Sequence, residues 1–389
     1  MSVYLTPKMQ SQRISHTWMT KIQDNIQGVE KRSALFTWPR IKLESKLQLV
    51  DDEKRRFIYA HLFRDMHNIW SIPVISDETT LTVESASGQK IITVVDTGYR
   101  HFYDGRKCIL VDPDDWETYE EVIIDTVDSG TQITASTNLI NTWPIGTLIY
   151  PLYECRINPE QSRDLKFYTV NNISIFGDES FEAERTFTYT LPTIDTDIYP
   201  TYNSLSLFLT KPINPITEKY RHPYILLKNL GLQTAFTNYG NTRAVYDRTF
   251  LLITKKEIYD FLNFFDAQMG RLGTFYTPTW LQDIVVSVGF ADTDVTLTTK
   301  ELYLTSDEIV GRHIYIVLPD GTYVCREITG RPSPTSIIID SGIGTTVATA
   351  DLSNVTCSFL QNVRFNIDEL AIDYITPLIA KIKLGFNTI

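Results

Sequence analysis

Long apolar runs are missing from this sequence. Stretches such as Val122 to Ile124 and Leu251 to Ile253 end after a few residues, far short of the roughly 20 that cross a bilayer as a helix. A membrane segment is therefore not expected. Met1 to Gln10 also lacks the basic-then-apolar pattern of a secretory leader, so synthesis and first folding are expected in the cytosol. Cysteine is scarce: Cys108, Cys155, Cys325 and Cys357 are scattered, with no CxxC and no Cys/His pair at metal-ligand spacing, which points to free thiols rather than a disulfide framework or a zinc site. Positive charge is in deficit, with 36 Lys and Arg against 47 Asp and Glu and a net charge of −11. That balance excludes a general phosphate-backbone binder. The one basic cluster, Lys54-Arg55-Arg56, opens a helical pattern and reads as a solvated face. Absent too are a Walker loop, a GxSxG elbow and an HExxH helix. A non-enzyme is expected, with no catalytic residue, cofactor or metal.

What is present is apolar side chain in quantity. At 389 residues, 43% apolar and 12% aromatic, the chain exceeds one compact core and supports two or more. Slid against itself by a little over half its length, the sequence repeats an ordered series of features. The first series runs Gly28 to Arg32, Trp38-Pro39-Arg40, alternating Ile41, Leu43, Leu47 and Leu49, a helical pattern over Glu53 to Asn68, then Ile69 to Pro73. The second runs Gly240 to Arg243, Tyr246-Asp247-Arg248, Phe250 to Ile253, a helical pattern over Lys255 to Met269, then Phe275 to Trp280. Each helix puts apolar residues at helical spacing, Phe57, Leu62, Phe63 and Met66 in one and Ile258, Phe261, Leu262 and Phe265 in the other. Gly270 and Gly273 mark the stop of the second. Further on, Gly105 to Val111 matches Gly311 to Val317, and Leu152 to Asn158 matches Leu360 to Asn366.

These anchors predict a mainly β fold of two tandem units, each with one α-helix and an inserted small β-barrel or sandwich domain. The expected boundaries are 1–76 with 159–178 for the first unit, 77–158 for its insertion, 224–283 with 367–389 for the second unit and 284–366 for its insertion. Phe167 to Phe176 and Tyr374 to Leu384 read as strands that rejoin each unit. Residues 179–223 carry Pro192, Pro200, Pro212, Pro215 and Pro223 and read as an extended linker arm crossing a surface.

Several motifs invite chemistry and have plainer explanations. His61 and His67 lie six apart on the first helix, on different faces, and so make a poor metal pair. Asp112-Pro113-Asp114-Asp115 lacks the spacing of a calcium loop and reads as a hairpin turn. The aromatics Tyr99, Tyr103, Trp116, Tyr119 and Trp143 in the first insertion suit either a core or a sugar-stacking surface. The alternative function is thus a receptor- or carbohydrate-binding module.

A family resemblance comes from two stretches. Gly28-Val29-Glu30-Lys31-Arg32-Ser33-Ala34-Leu35 with Trp38-Pro39-Arg40 resembles the G-x-E-x-R-x-A-L…P-R opening of bacteriophage minor tail proteins. Phe264 to Phe275, with Gly270-Arg271, Pro278 and Trp280, is similar to their F-F…G-R…F…P-W passage. The first half departs from it at Asn68-Ile69-Trp70, where the Gly-Arg pair is missing. The resemblance implies a virion structural protein of the distal-tail or baseplate-hub type, built from tail-tube-like β units. It would be a homo-oligomeric ring, trimer or hexamer, at the tail tip. Its partners would be the tail tube and tip or fibre proteins, with DNA passing through and an acidic lumen keeping phosphates off the wall. Assembly in the host bacterial cytoplasm follows. Matched anchors single out Arg32, Arg40, Arg106, Arg156, Arg243, Arg271, Arg312 and Arg364 as candidate interface residues; each has the plainer role of capping carbonyls inside its own domain.

Overall fold

The computed structural model describes residues 3–4, 9–24, 30–49, 60, 64, 66–115, 118–158, 162–165, 171–179, 191–221, 225–229, 232–236 and 243–389. The chain is mainly β. Eight strands make up one antiparallel sheet: β1 Met9–Thr17, β2 Arg40–Leu49, β3 Ser162–Leu165, β4 Asn171–Glu179, β5 Ile213–Arg221, β6 Arg243–Leu252, β7 Glu369–Thr376 and β8 Ile379–Thr388. Across the sheet they lie in the order β3-β4-β2-β1-β7-β8-β6-β5. Alternation sets the faces. Ile41, Leu43 and Ser45 of β2, and Ala244, Tyr246, Arg248, Phe250 and Leu252 of β6, are buried, while their neighbours in sequence point to the other side.

Several strand pairings recur in both halves of the chain. β4 lies between β2 and Leu148–Ile157, and β8 lies between β6 and Thr356–Phe365. Each of those long strands runs out of the eight-stranded sheet and pairs at its other end with a second layer, Lys107–Val111 or His313–Val317. Val111 faces Tyr119 and Leu148 just as Val317 faces Tyr323 and Thr356. The next hairpin carries a bulge between Ile124 and Thr126 in one half and between Ile328 and Gly330 in the other. Ile72 and Ile157 belong to one core; two further cores form around Ile124 and around Ile328.

Helix α1, Lys255–Ala267, covers the second half of the sheet. Its start is fixed reciprocally: the Glu257 N–H donates to Thr254 Oγ1 at 3.2 Å, and the Ile253 N–H donates to the Glu257 carboxylate at 2.9 Å. Ile258, Phe261, Leu262 and Phe265 turn inward, and Gly270 ends the passage at φ +63°. A Cβ there would lie 2.8 Å from Asp368 Oδ1 and 3.2 Å from Trp18 Cβ, so the position needs both the left-handed backbone and the space that glycine gives. The helix expected over Glu53 to Asn68 falls mostly outside the described residues.

Two expectations need correction. The segment 179–223 does not simply cross a surface: Tyr199, Leu207 and Phe208 are buried, and β5 belongs to the sheet. Prolines hid this, because Pro212 and Pro215 sit where an edge strand tolerates a missing N–H. Tyr374 to Leu384 is not one strand either; β7 and β8 form a hairpin that turns at Pro377 and Leu378. No helix among the described residues is long and apolar enough to cross a membrane.

Candidate assembly interface

The two halves meet strand against strand. β1 of the first half pairs with β7 of the second, Arg13 facing Asp373, Ile14 facing Ile372, Ser15 facing Ala371, His16 facing Leu370 and Thr17 facing Glu369. Backbone hydrogen bonds make the sheet continuous across this junction. On the outer face Arg13 Nε lies 3.2 Å from Asp373, an exposed pair worth about 0–1 kcal/mol.

On the inner face the junction is locked by carboxylates from α1 and from the turn before β7. Asp266, in the last turn of α1, accepts from Trp18 Nε1–H and lies against His16 Nδ1, both at 2.8 Å. The end of a helix disfavours an anion, and these two side chains from β1 and its C-terminal extension offset that cost. His16 Nε2 is buried and has no partner among the described residues. Asp368 accepts from the Thr20 N–H and hydroxyl at 2.9 Å and from the Arg271 N–H at 3.0 Å, while its carbonyl accepts from the Trp18 N–H at 2.8 Å.

A hairpin of Thr20–Asp24 and Glu30–Ala34 reaches over the second half. There the Arg364 guanidinium donates to both Glu30 oxygens at 2.9 Å, a bidentate fit with both side chains almost fully buried. Arg32 donates to the Leu272 carbonyl at 2.8 Å. Burial holds the Arg32 guanidinium below its ordinary pKa, with nearby Arg364 adding to this and Glu30 opposing it. Glu30→Gln keeps the shape and removes the charge. Chemical denaturation is expected to show a loss of about 2 kcal/mol, the worth of hydrogen bonds to a charged group, and an unchanged midpoint would contradict the clamp.

A second buried cluster ties Asp77 and His101 to α1. Asp77, fully buried, accepts from the His101 N–H at 2.9 Å and from the His101 ring and Lys255 Nζ. Burial opposes its ionisation, but Lys255 and His101 outweigh that and hold the carboxyl well below the usual range.

The eight arginines do not gather on one surface. Arg32, Arg271 and Arg364 belong to the internal junction. Arg40 stacks on Phe36 at 4.4 Å, Arg106 on Tyr153 at 4.2 Å and Arg312 on Phe359 at 5.2 Å. Arg156 is exposed, and Arg243 faces Arg221 in the β6–β5 pairing. The motif stretches nonetheless converge: Glu30, Arg32, Asp266, Gly270, Arg271 and Leu272 all serve the contact between halves. His16, Asp77, His101 and Lys255 carried no sequence signal, because each finds its partner far along the chain.

His67 is exposed, and His61 lies outside the described residues. Asp112 Oδ1 accepts from the Asp114 and Asp115 N–H groups at 2.8 and 3.3 Å, which is turn chemistry. Of the candidate sugar-stacking aromatics, Trp143 is buried and donates to Glu120 at 2.8 Å; Tyr99 and Tyr119 are 42% and 45% exposed; Trp116 lies outside the described residues. Cys108 and Cys325 carry free thiols, and burial pushes both up to about 12, which leaves them poor nucleophiles at neutral pH. No group of metal-ligating side chains occurs among the described residues. Compared with family models and with curated proteins, the sequence matches none of them.

Proposed function

We propose that this chain is a structural, non-enzymatic component of a bacteriophage tail tip, a distal-tail or hub protein. Copies of it form a ring that joins the tail tube to tip or fibre proteins and surrounds the DNA path. Two tandem tail-tube-like units make up each chain in this reading, each with an inserted β domain. Three chains then supply six similar units, and six chains supply twelve.

The observation that carries the proposal is the recurrence of one pairing scheme in both halves, together with the way the halves join through a sheet edge. A module that already docks edge to edge with its own copy has a ready means of continuing the row. The resemblance of the Glu30 and Gly270-Arg271 stretches to tail proteins supplies the setting.

The expected acidic wall needs revision in this scheme. The outer face of the sheet carries Arg13, Lys42, Lys46, Lys219, Lys381 and Lys383 against Glu44, Asp247, Glu369 and Asp373. Ion pairs occupy some of these cations: Lys219 with Asp247 at 2.7 Å, Lys46 with Glu44 at 3.6 Å and Arg13 with Asp373. With this face lining the ring, DNA meets a mixed wall whose cations are partly neutralised, and weak, salt-screened contact follows. A carbohydrate-binding module has less support, since burial of Trp143 removes one of its stacking surfaces.

Light scattering of the purified protein is expected to give a discrete closed oligomer of three or six chains. A monomer at high concentration would contradict the proposal.

A further inference from the structure

At its two ends the eight-stranded sheet has edges with no neighbour among the described residues: β3 at one end and β5 at the other. An exposed row of N–H and C=O groups is a template for another strand. Pro215 and a bulge interrupt the start of β5, and from Thr217 to Arg221 its pairing is regular. Of its residues, Thr217, Lys219 and Tyr220 are exposed, Tyr220 by 69%, and its irregularity is confined to the bulge between Ile213 and Thr217.

The internal junction says which strand fits there. β1 faces β2 in the first half as β5 faces β6 in the second, and β7 faces β8 as β3 faces β4. The register follows position by position. Leu43 pairs with Gly177 and Ile14; Tyr246 pairs with Phe386 and Glu218. Ile14 and Glu218 therefore occupy equivalent places. Ile382 pairs with Phe250 and Ile372; Ile173 pairs with Leu47 and Arg163, which makes Ile372 and Arg163 equivalent. In the junction, Ile14 faces Ile372. The edges left over, β5 and β3, are the counterparts of the two strands that form that contact.

We infer that β5 of one copy pairs antiparallel with β3 of a second copy of this chain, head to tail, in the register of the internal β1–β7 junction. This rests on the ring reading above and specifies its contact. Glu218 then faces Arg163 of the neighbouring copy, Thr217 faces Asp164 and Lys219 faces Ser162. The apolar Ile14–Ile372 pair of the internal junction becomes a pair of opposite charges between copies, favourable directly across an antiparallel ladder. Like charges face each other at none of the three positions. Because β5 and β3 are different strands, the contact is heterologous, so it builds a row that closes by rotation. A two-fold dimer does not arise from it.

The test is a disulfide placed by register in the full-length chain, in the double variant Glu218→Cys, Arg163→Cys. Residues directly opposite have Cα atoms about 4.5–5.5 Å apart, within the span of a disulfide. Within one chain the two positions lie at opposite ends of the sheet, seven strand spacings of about 4.8 Å apart, so only contact between copies joins them. Mild oxidation and a non-reducing gel are expected to give a covalent ladder that stops at the size of the native oligomer. The control Glu218→Cys, Leu165→Cys, displaced by two residues, is expected to cross-link at least tenfold less. Single-cysteine variants report the background from Cys325. An oligomer in solution whose register pair does not cross-link, or cross-links no better than the control, overturns this strand pairing and leaves the ring standing. A chain that stays monomeric by light scattering overturns both.

Discussion

Phe208→Ala is expected to lower stability by about 3–5 kcal/mol, the range for deleting a buried aromatic and leaving a cavity behind. Phe208 is fully buried at the centre of an aromatic cluster. Its ring stacks on Tyr199 at 5.7 Å with an interplanar angle of 3°, and lies between 5.0 and 6.4 Å from Phe250, Phe261, Phe264, Phe275, Phe365 and Phe386. These rings come from α1, from β6 and β8, from the strands Phe275–Pro278 and Thr356–Phe365, and from the segment that bridges the halves, so no single neighbour can move in to fill the space. Phe208 also anchors backbone: its N–H donates to the Tyr276 carbonyl at 2.7 Å, and Leu207 forms a parallel bridge to Tyr276. The strand β5 begins five residues later. Denaturant titration is expected to move the midpoint at constant slope, and hydrogen exchange in β5 is expected to accelerate more than exchange in β2. Phe208→Leu is expected to retain more than half of the stability that Phe208→Ala removes. A change under about 1 kcal/mol for Phe208→Ala would mean that the cluster is not a core.

Asp77→Ala is expected to cost a similar amount, about 3–5 kcal/mol, because it leaves Lys255 buried without its counter-charge. Adding Lys255→Met to that variant is expected to recover part of the loss, since removing both partners of a buried pair is far milder than removing one. The pH dependence has a definite direction. The folded carboxyl is held below its unfolded value of about 3.9, so its contribution is complete above that pH and is lost as acid takes the pH down through the folded value. For Lys255, burial opposes the charge but Asp77 outweighs it and raises the pKa. That contribution is complete below the unfolded value of about 10.4 and is lost as pH rises through the folded one. Stability against pH is thus expected to fall on both sides of a broad plateau, and the Asp77→Ala, Lys255→Met double variant is expected to fall less steeply below about pH 4. Equal acid slopes for the two proteins would contradict the pairing.

How much of this was legible in the sequence follows from range. α1 could be read from Ile258, Phe261, Leu262 and Phe265 with Gly270 behind them, because a helix is a local object. The strands of the insertions could be read from alternation and from the match of Gly105 to Val111 with Gly311 to Val317. Their common bulge could not, since a bulge is a relation between two strands. The hairpin of β7 and β8 was hidden because Ile375, Pro377 and Leu378 keep an apolar pattern through the turn. The bridging segment misled through its prolines, while the residue that fixes it, Phe208, is one apolar position among many. At the junction, Glu30 and Arg32 were visible as a motif, and Arg32 as a candidate interface residue, without a partner within the chain. Arg364 gave them one, from the other half of the chain, and His16 and Asp266 became partners only when β1 was laid beside β7.

In the proposed ring, the edge-to-edge contact that joins the halves within a chain continues between chains. Electron cryomicroscopy of the purified full-length protein is expected to show a closed ring in which the sheet runs unbroken from β5 of each copy into β3 of the next, with successive half-chains related by nearly equal rotations. A particle in which β3 and β5 face solvent, or a dimer built on another surface, would contradict it.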